Sequence, residues 1–219
     1  MQSPRIALIH ATPLAIEPIV STFRRLWPEA RLTNLLEDSL APDLAADGRL
    51  TDRMIGRFVL LASYVHDCGA DAILFTCSAF GPAIEAARAA LDIPVLKPNE
   101  AMFEQALAAG TRIGLIATFE PSIPALKAEL ERSAREKNYK LSISYRAVPA
   151  ALAALHAGKV DEHDRLIAAA AEEIGDCDAL ILGQFSMASA ASVIRPRGKR
   201  QVLTSPTAAV MQLKRLLSD

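Results

Sequence analysis

Three stretches of strand-like sequence recur in this chain at one spacing, and that regularity restricts the fold more than any other property. Ile6-Ala7-Leu8-Ile9 matches Ile113-Gly114-Leu115-Ile116, Asp71-Ala72-Ile73-Leu74-Phe75 matches Asp178-Ala179-Leu180-Ile181-Leu182, and Val95-Leu96 matches Val202-Leu203, each pair 107 positions apart. Any two apolar segments look somewhat alike, but a chance likeness would not hold one register across three separated segments. The chain therefore reads as a duplicated unit.

Short apolar runs alternate with longer amphipathic, Ala-rich segments, the rhythm of βα units around a parallel sheet. Strands are expected at Arg5–His10, Arg31–Leu35, Ala72–Thr76, Val95–Lys97, Arg112–Ala117, Ser142–Ala147, Ala179–Gly183 and Gln201–Thr204. The segments between them read as helices, such as Ala15–Leu26, Thr51–Cys68, Pro82–Leu91, Glu100–Ala109, Pro124–Asn138, Asp161–Ile174 and Pro206–Leu217. A hydrophobic fraction of 51% with only 5% aromatics gives a core of Ala, Leu, Ile and Val, as helices packed on parallel strands require. The expected architecture is α/β: two lobes related by a pseudo-two-fold, each a four-stranded parallel sheet flanked by helices. Residues 1–98 with 205–219 form the first lobe and 99–204 the second.

A formal net charge of −1 and the lack of a Lys/Arg run argue against a nucleic-acid partner. MQSPRIALIH has neither the charged start nor the long apolar stretch of a signal peptide, and no apolar run reaches membrane-spanning length. A cytoplasmic protein with no membrane partner is expected. Cys68, Cys77 and Cys177 cannot all pair, and none has a zinc-ligand spacing, so free thiols and no metal are expected. Walker A, GxGxxG, GxSxG and HExxH patterns are absent from the sequence.

Ligands of open parallel sheets bind beyond the carboxyl ends of the strands, where the following helices present free N–H groups. Two such sheets facing one another would share a cleft. The strand Ala72–Thr76 runs into Thr76-Cys77-Ser78-Ala79-Phe80-Gly81-Pro82, which puts Cys77 at a strand-to-helix corner. A helix N-terminus there favours a thiolate and lowers its pKa. The matching position 107 residues on is Gln184, in Leu182-Gly183-Gln184-Phe185-Ser186-Met187, and the two corners are expected to oppose each other.

The Thr76-Cys77-Ser78 corner, the Gly183 corner, the strand Ile113–Thr118 and the Ser205-Pro206 turn together resemble the aspartate/glutamate racemase superfamily. Its members include hydantoin, allantoin and glutamate racemases, maleate isomerase and arylmalonate decarboxylase. The resemblance implies cofactor-independent chemistry on a small carboxylate or carbonyl compound, and it makes a homo-oligomer plausible. In the two-cysteine racemases of the superfamily one thiolate removes an α-proton while the opposing thiol delivers another. Cys77 matches the first cysteine, but Gln184 stands where the second belongs, and an amide does not exchange protons near neutral pH. What the resemblance then implies is single-cysteine acid/base chemistry by Cys77, of racemase or isomerase type. A one-sided decarboxylase or lyase and a non-catalytic ligand-binding relative are the alternatives.

Other residues take lesser parts. His10 closes the first strand, either contacting substrate or tuning Cys77, or else serving as a hydrogen-bonded corner residue. Thr12, Ser78, Thr118, Ser186 and Thr207 place hydroxyls at or near corners, where they hold a carboxylate or simply cap helices. Cys68 and Cys177 are expected to be buried structural thiols, and Glu37-Asp38 an exposed loop. His66 and His156 read as helix or loop histidines, and His163 as part of an acidic helix start.

Overall fold

The computed structural model describes residues 3–218. The chain divides into two compact lobes: lobe 1 runs to Glu100 and resumes at Ala209, and lobe 2 is Ala101–Ala208. In lobe 1 the strands β1 (Arg5–His10), β2 (Arg31–Leu36), β3 (Ala72–Phe75) and β4 (Val95–Leu96) form one sheet in the order β2-β1-β3-β4. In lobe 2 β5 (Arg112–Ala117), β6 (Ser142–Ala147), β7 (Ala179–Leu182) and β8 (Gln201–Thr204) repeat it as β6-β5-β7-β8. All pairings are parallel.

The duplication is written into the strand register. Ile6 lies opposite Ala72 and Ile113 opposite Ala179, while Ile73 meets Val95 and Leu180 meets Val202, so the spacing of 107 survives in three strands of each sheet. The edge strand departs from it, with Ile6 opposite Leu32 but Ile113 opposite Ile143. Much of that slip is helix length: α1 (Ile16–Leu26) has 11 residues and its counterpart α6 (Ile123–Glu136) has 14. Both lobes carry the same clasp at the start of the first strand. The Arg5 N–H donates to Asp71 Oδ2 at 2.6 Å, and the Arg112 N–H donates to Asp178 Oδ2 at 2.9 Å.

The remaining helices are α2 (Leu40–Asp47), α3 (Asp52–Asp67), α4 (Gly81–Ala89), α5 (Glu100–Ala109), α7 (Pro149–His156), α8 (Val160–Glu173) and α9 (Ser205–Leu216). Helices α2 and α7 were not read from sequence. Each has only eight residues and carries a proline in its first turn, which a helix tolerates there but which mimics a break. Their effect is to tie down the chain after each edge strand. Glu37 is accordingly no free loop residue: it accepts from the Ser39 N–H and O–H and pairs with Arg57 of α3.

Central strands β3 and β7 are buried along their whole length, as strands covered on both faces must be. Phe75 and Phe80, on either side of the Cys77 corner, both pack on Phe58 of α3, with ring centroids 5.1 and 4.8 Å apart. That aromatic trio fixes the corner from below. Cys177 is buried as expected, whereas Cys68 is exposed. It caps the C-terminus of α3 just before Gly69 (φ 84), and the turn directs it to solvent rather than into the core. His163 lies in the first turn of α8, yet it is fully buried, because it falls on the face of α8 that also buries Ile167 and Ala170.

Candidate active site

At the end of β3 the ladder continues for one more bond, from the Thr76 N–H to the Ile9 carbonyl at 3.0 Å. Cys77 follows in extended conformation and heads the short 3-10 turn Ser78–Phe80, which leads into α4. The half-buried thiol packs against the apolar core of lobe 1, a core that includes Ala11. Two influences on its acidity oppose each other. Burial pushes the Cys77 thiol up, the backbone N–H of Ala79 pulls it down, and burial wins. The thiolate expected from the helix N-terminus is therefore a thiol at neutral pH: one N–H does not replace lost hydration.

His10 is fully buried, with Nδ1 2.9 Å from Thr76 Oγ1 and Nε2 3.0 Å from Asn34 Oδ1. The Asn34 carbonyl oxygen can only accept, which assigns the ring proton to Nε2 and leaves Nδ1 to accept from the Thr76 hydroxyl. Burial lowers the His10 pKa, with the Asn34 bond a smaller opposing effect, so the ring is neutral. Both ring nitrogens of His10 are thus hydrogen-bonded within lobe 1. It braces Thr76, the residue before Cys77.

The equivalent corner of lobe 2 is built differently. The Gly183 N–H donates to the Ile116 carbonyl at 2.8 Å, and the corner is tight: a Cβ there would come within 2.8 Å of Leu126 Cδ1 and 3.1 Å of the Ile116 oxygen, so both neighbours would have to give. Gln184 then turns its carboxamide into its own lobe. Oε1 accepts from the Thr118 N–H at 2.8 Å and from Thr118 Oγ1 at 3.3 Å, and Nε2 donates to Ser122 Oγ at 2.8 Å. The Ser122 hydroxyl passes the chain on to the Phe119 carbonyl at 2.6 Å. Every group in this chain has a partner of the right polarity, which fixes the orientation of the amide.

Thr118 is buried and belongs to that network. Thr12 caps the turn Pro13–Ala15, accepting from the Leu14 N–H, and Thr207, in the first turn of α9, accepts from Thr204 Oγ1. Ser78 and Ser186 are half-buried and stand directly after the two corners. Sequence reasoning passed over Asn34 and Ser122 as partners. Among the described residues no group of three or more His, Cys, Asp or Glu is placed to hold a metal ion, and no helix is long and apolar enough to cross a membrane.

A model of the Asp/Glu/hydantoin racemase family matches residues 10–213. The chain belongs to that family. Picrophilus torridus aspartate racemase superposes with a TM-score of 0.75 at 12% identity, over 99% of this chain and 95% of that one. The allantoin racemase from Klebsiella pneumoniae gives 0.68 at 19%, over 99% and 88%. Unliganded arylmalonate decarboxylase gives 0.63 at 18%, over 98% and 93%. At these identities the likeness is one of fold. A search of curated protein sequences finds no match.

Proposed function

We propose that this member of the racemase family is a cofactor-independent isomerase acting on a small carboxylate or carbonyl compound, with Cys77 as its single acid/base. The observation that carries the reading is the Cys77 corner itself: a half-buried thiol after a fully buried strand, held above its ordinary pKa by desolvation and offered one backbone N–H. The thiolate form of Cys77, to which the Ala79 N–H donates, takes a proton from the carbon next to the carboxylate or carbonyl, so that a C–H bond breaks as an S–H bond forms and the electron pair is delocalised into that group. The thiol then returns a proton on the same face to another carbon of the delocalised anion, so that a C–H bond forms, a double bond shifts and the thiolate is restored. Gln184 has no proton of useful acidity, which limits proton transfer to the face that Cys77 addresses.

A second reading, a one-sided decarboxylase, is favoured by the same raised pKa. The carbon–carbon bond would break with loss of carbon dioxide, the electron pair would stay on carbon, and the thiol, already protonated, would quench it. Both readings are tested by incubating the protein with a panel of small α-substituted mono- and dicarboxylates in deuterated water. The expected outcome is deuterium on one face of substrate or product, abolished in Cys77→Ser. Label entering both faces equally in the wild type would sink single-thiol chemistry, and binding of panel compounds without exchange or turnover would leave a ligand-binding protein.

A further inference from the structure

The corners of the two lobes continue differently, and the difference points to a movable element in lobe 2. After Cys77 the chain makes a three-residue 3-10 turn and becomes the α-helix Gly81–Ala89. After Gln184 the matching segment, Phe185–Ser192, stays a 3-10 helix for all eight residues. Runs of that length are uncommon, because 3-10 hydrogen bonds are poorly aligned and side chains three apart eclipse. Nor does the sequence ask for it. Phe-Ser-Met-Ala-Ser-Ala-Ala-Ser contains three alanines and neither glycine nor proline, so its intrinsic preference is for the α-helix.

A tertiary contact supplies the reason. Ser189, in the middle of the segment, donates its hydroxyl to Asp164 Oδ1 of α8 at 2.7 Å, and the same oxygen accepts from His163 Nδ1 at 2.8 Å. Asp164 and His163 are both buried. At the matching place on α3, Arg57 bonds Ser39 and Asp43 on the α2 side and leaves the Cys77 corner alone. The latch is also incompletely satisfied, since His163 Nε2 is buried with no partner among the described residues. The far end of the segment is already mixed: the Ala190 carbonyl accepts from Val193 at 3.1 Å, a 3-10 bond, and from Ile194 at 3.2 Å, an α bond.

We propose that Phe185–Ser192 is a two-state element, a 3-10 helix while Ser189 is latched to Asp164 and an α-helix once the latch opens. Rewinding shortens the segment from about 16 to about 12 Å. Ala190 and Ile194 hold the far end in the core of lobe 2, so the change is taken up at the Gln184 end, where the buried Phe185 and Met187 must repack. The carbonyl of Gln184, which now accepts from the Met187 N–H at 3.1 Å, passes to the N–H of Ala188, and Ser186 turns with it. Ser189 and Asp164 are thus positioning residues for the lobe 2 corner, acting through the backbone between them and Gln184.

The test is solution NMR on the isotope-labelled full chain, wild type against Ser189→Ala and Ser189→Thr. The wild type should show backbone contacts between residues two apart and few between residues four apart across 185–192. In Ser189→Ala the four-apart contacts should appear across the segment, while α8 and β7 stay unchanged. Ser189→Thr, which keeps the hydroxyl, should behave as the wild type. The proposal is overturned if Ser189→Ala keeps the wild-type pattern, if it loses all medium-range contacts instead of gaining α-helical ones, or if Ser189→Thr behaves as Ser189→Ala. None of these readings depends on catalytic activity.

Discussion

The two corners use one backbone for two opposite ends. In each lobe a residue at the end of the first strand bonds one at the end of the third across a sequence separation of 66, His10 to Thr76 in lobe 1 and Thr118 to Gln184 in lobe 2. The pairs are out of step by one residue within the repeat. His10 and Thr76 correspond to Ala117 and Gly183, while Thr118 and Ser122 correspond to Ala11 and Ala15. In lobe 1 the polar pair sits before the corner and leaves the corner thiol among apolar groups. In lobe 2 it includes the corner side chain and holds it. A shift of one residue thus separates a corner whose side chain lies among apolar groups from one whose side chain is a structural tie.

The comparison is broken most severely at Cys77. Cys77→Ser removes the proposed acid/base with little change of volume, so isotope exchange should fall by about 100- to 10,000-fold while the circular dichroism spectrum and melting temperature stay close to the wild type. Retained exchange would move the chemistry elsewhere. Because Cys68 is exposed, alkylation experiments require a Cys68→Ser background, in which iodoacetamide should inactivate through Cys77.

Next in size is the tie. Gln184→Ala strips the buried Thr118 N–H and hydroxyl of their acceptor and should cost about 1–3 kcal/mol in urea unfolding. Cys77→Ala, which removes a group with a single weak bond, should cost less. An equal or reversed order would refute the division into reactive corner and structural tie.

Gln184→Cys sharpens the contrast further. A thiol at 184 has the Thr118 N–H and hydroxyl beside it, and hydrogen bonds to the charged form lower a pKa. Thiolate absorbance followed against pH in a Cys68→Ser, Cys77→Ser, Cys177→Ala background should place the new thiol below Cys77 measured with Cys68 and Cys177 likewise replaced. A higher value would show that burial dominates at both corners.

The smallest effect concerns His10. Its folded pKa lies below the ordinary 6.5, so the unfolded chain binds a proton that the folded lobe resists. Its contribution to stability is full above that value and is lost as pH falls through it toward the folded pKa. The urea midpoint should therefore decline between pH 7 and pH 5, and His10→Gln should flatten the decline without changing its sign elsewhere.

Much of this architecture was legible in the sequence because it depends on backbone periodicity. Apolar runs of strand length, a constant spacing of 107 and the Pro and Gly signals at corners are local properties, and they suffice to place eight parallel strands and to put Cys77 at the end of one of them. The slip of β6 and the short helices α2 and α7 escaped it, the first because edge strands lack a strong apolar pattern, the others because a proline in a short helix reads as a loop. What only the tertiary structure decided is which side chains meet and how much water they lose. His10 and Thr76, or Gln184 and Thr118, are distant in sequence and come together only when the first and third strands pair. For the same reason the acidity of Cys77 could not be read from its corner alone. The helix N-terminus that would lower it is a local feature, but the burial that outweighs it is imposed by the core that packs around the thiol.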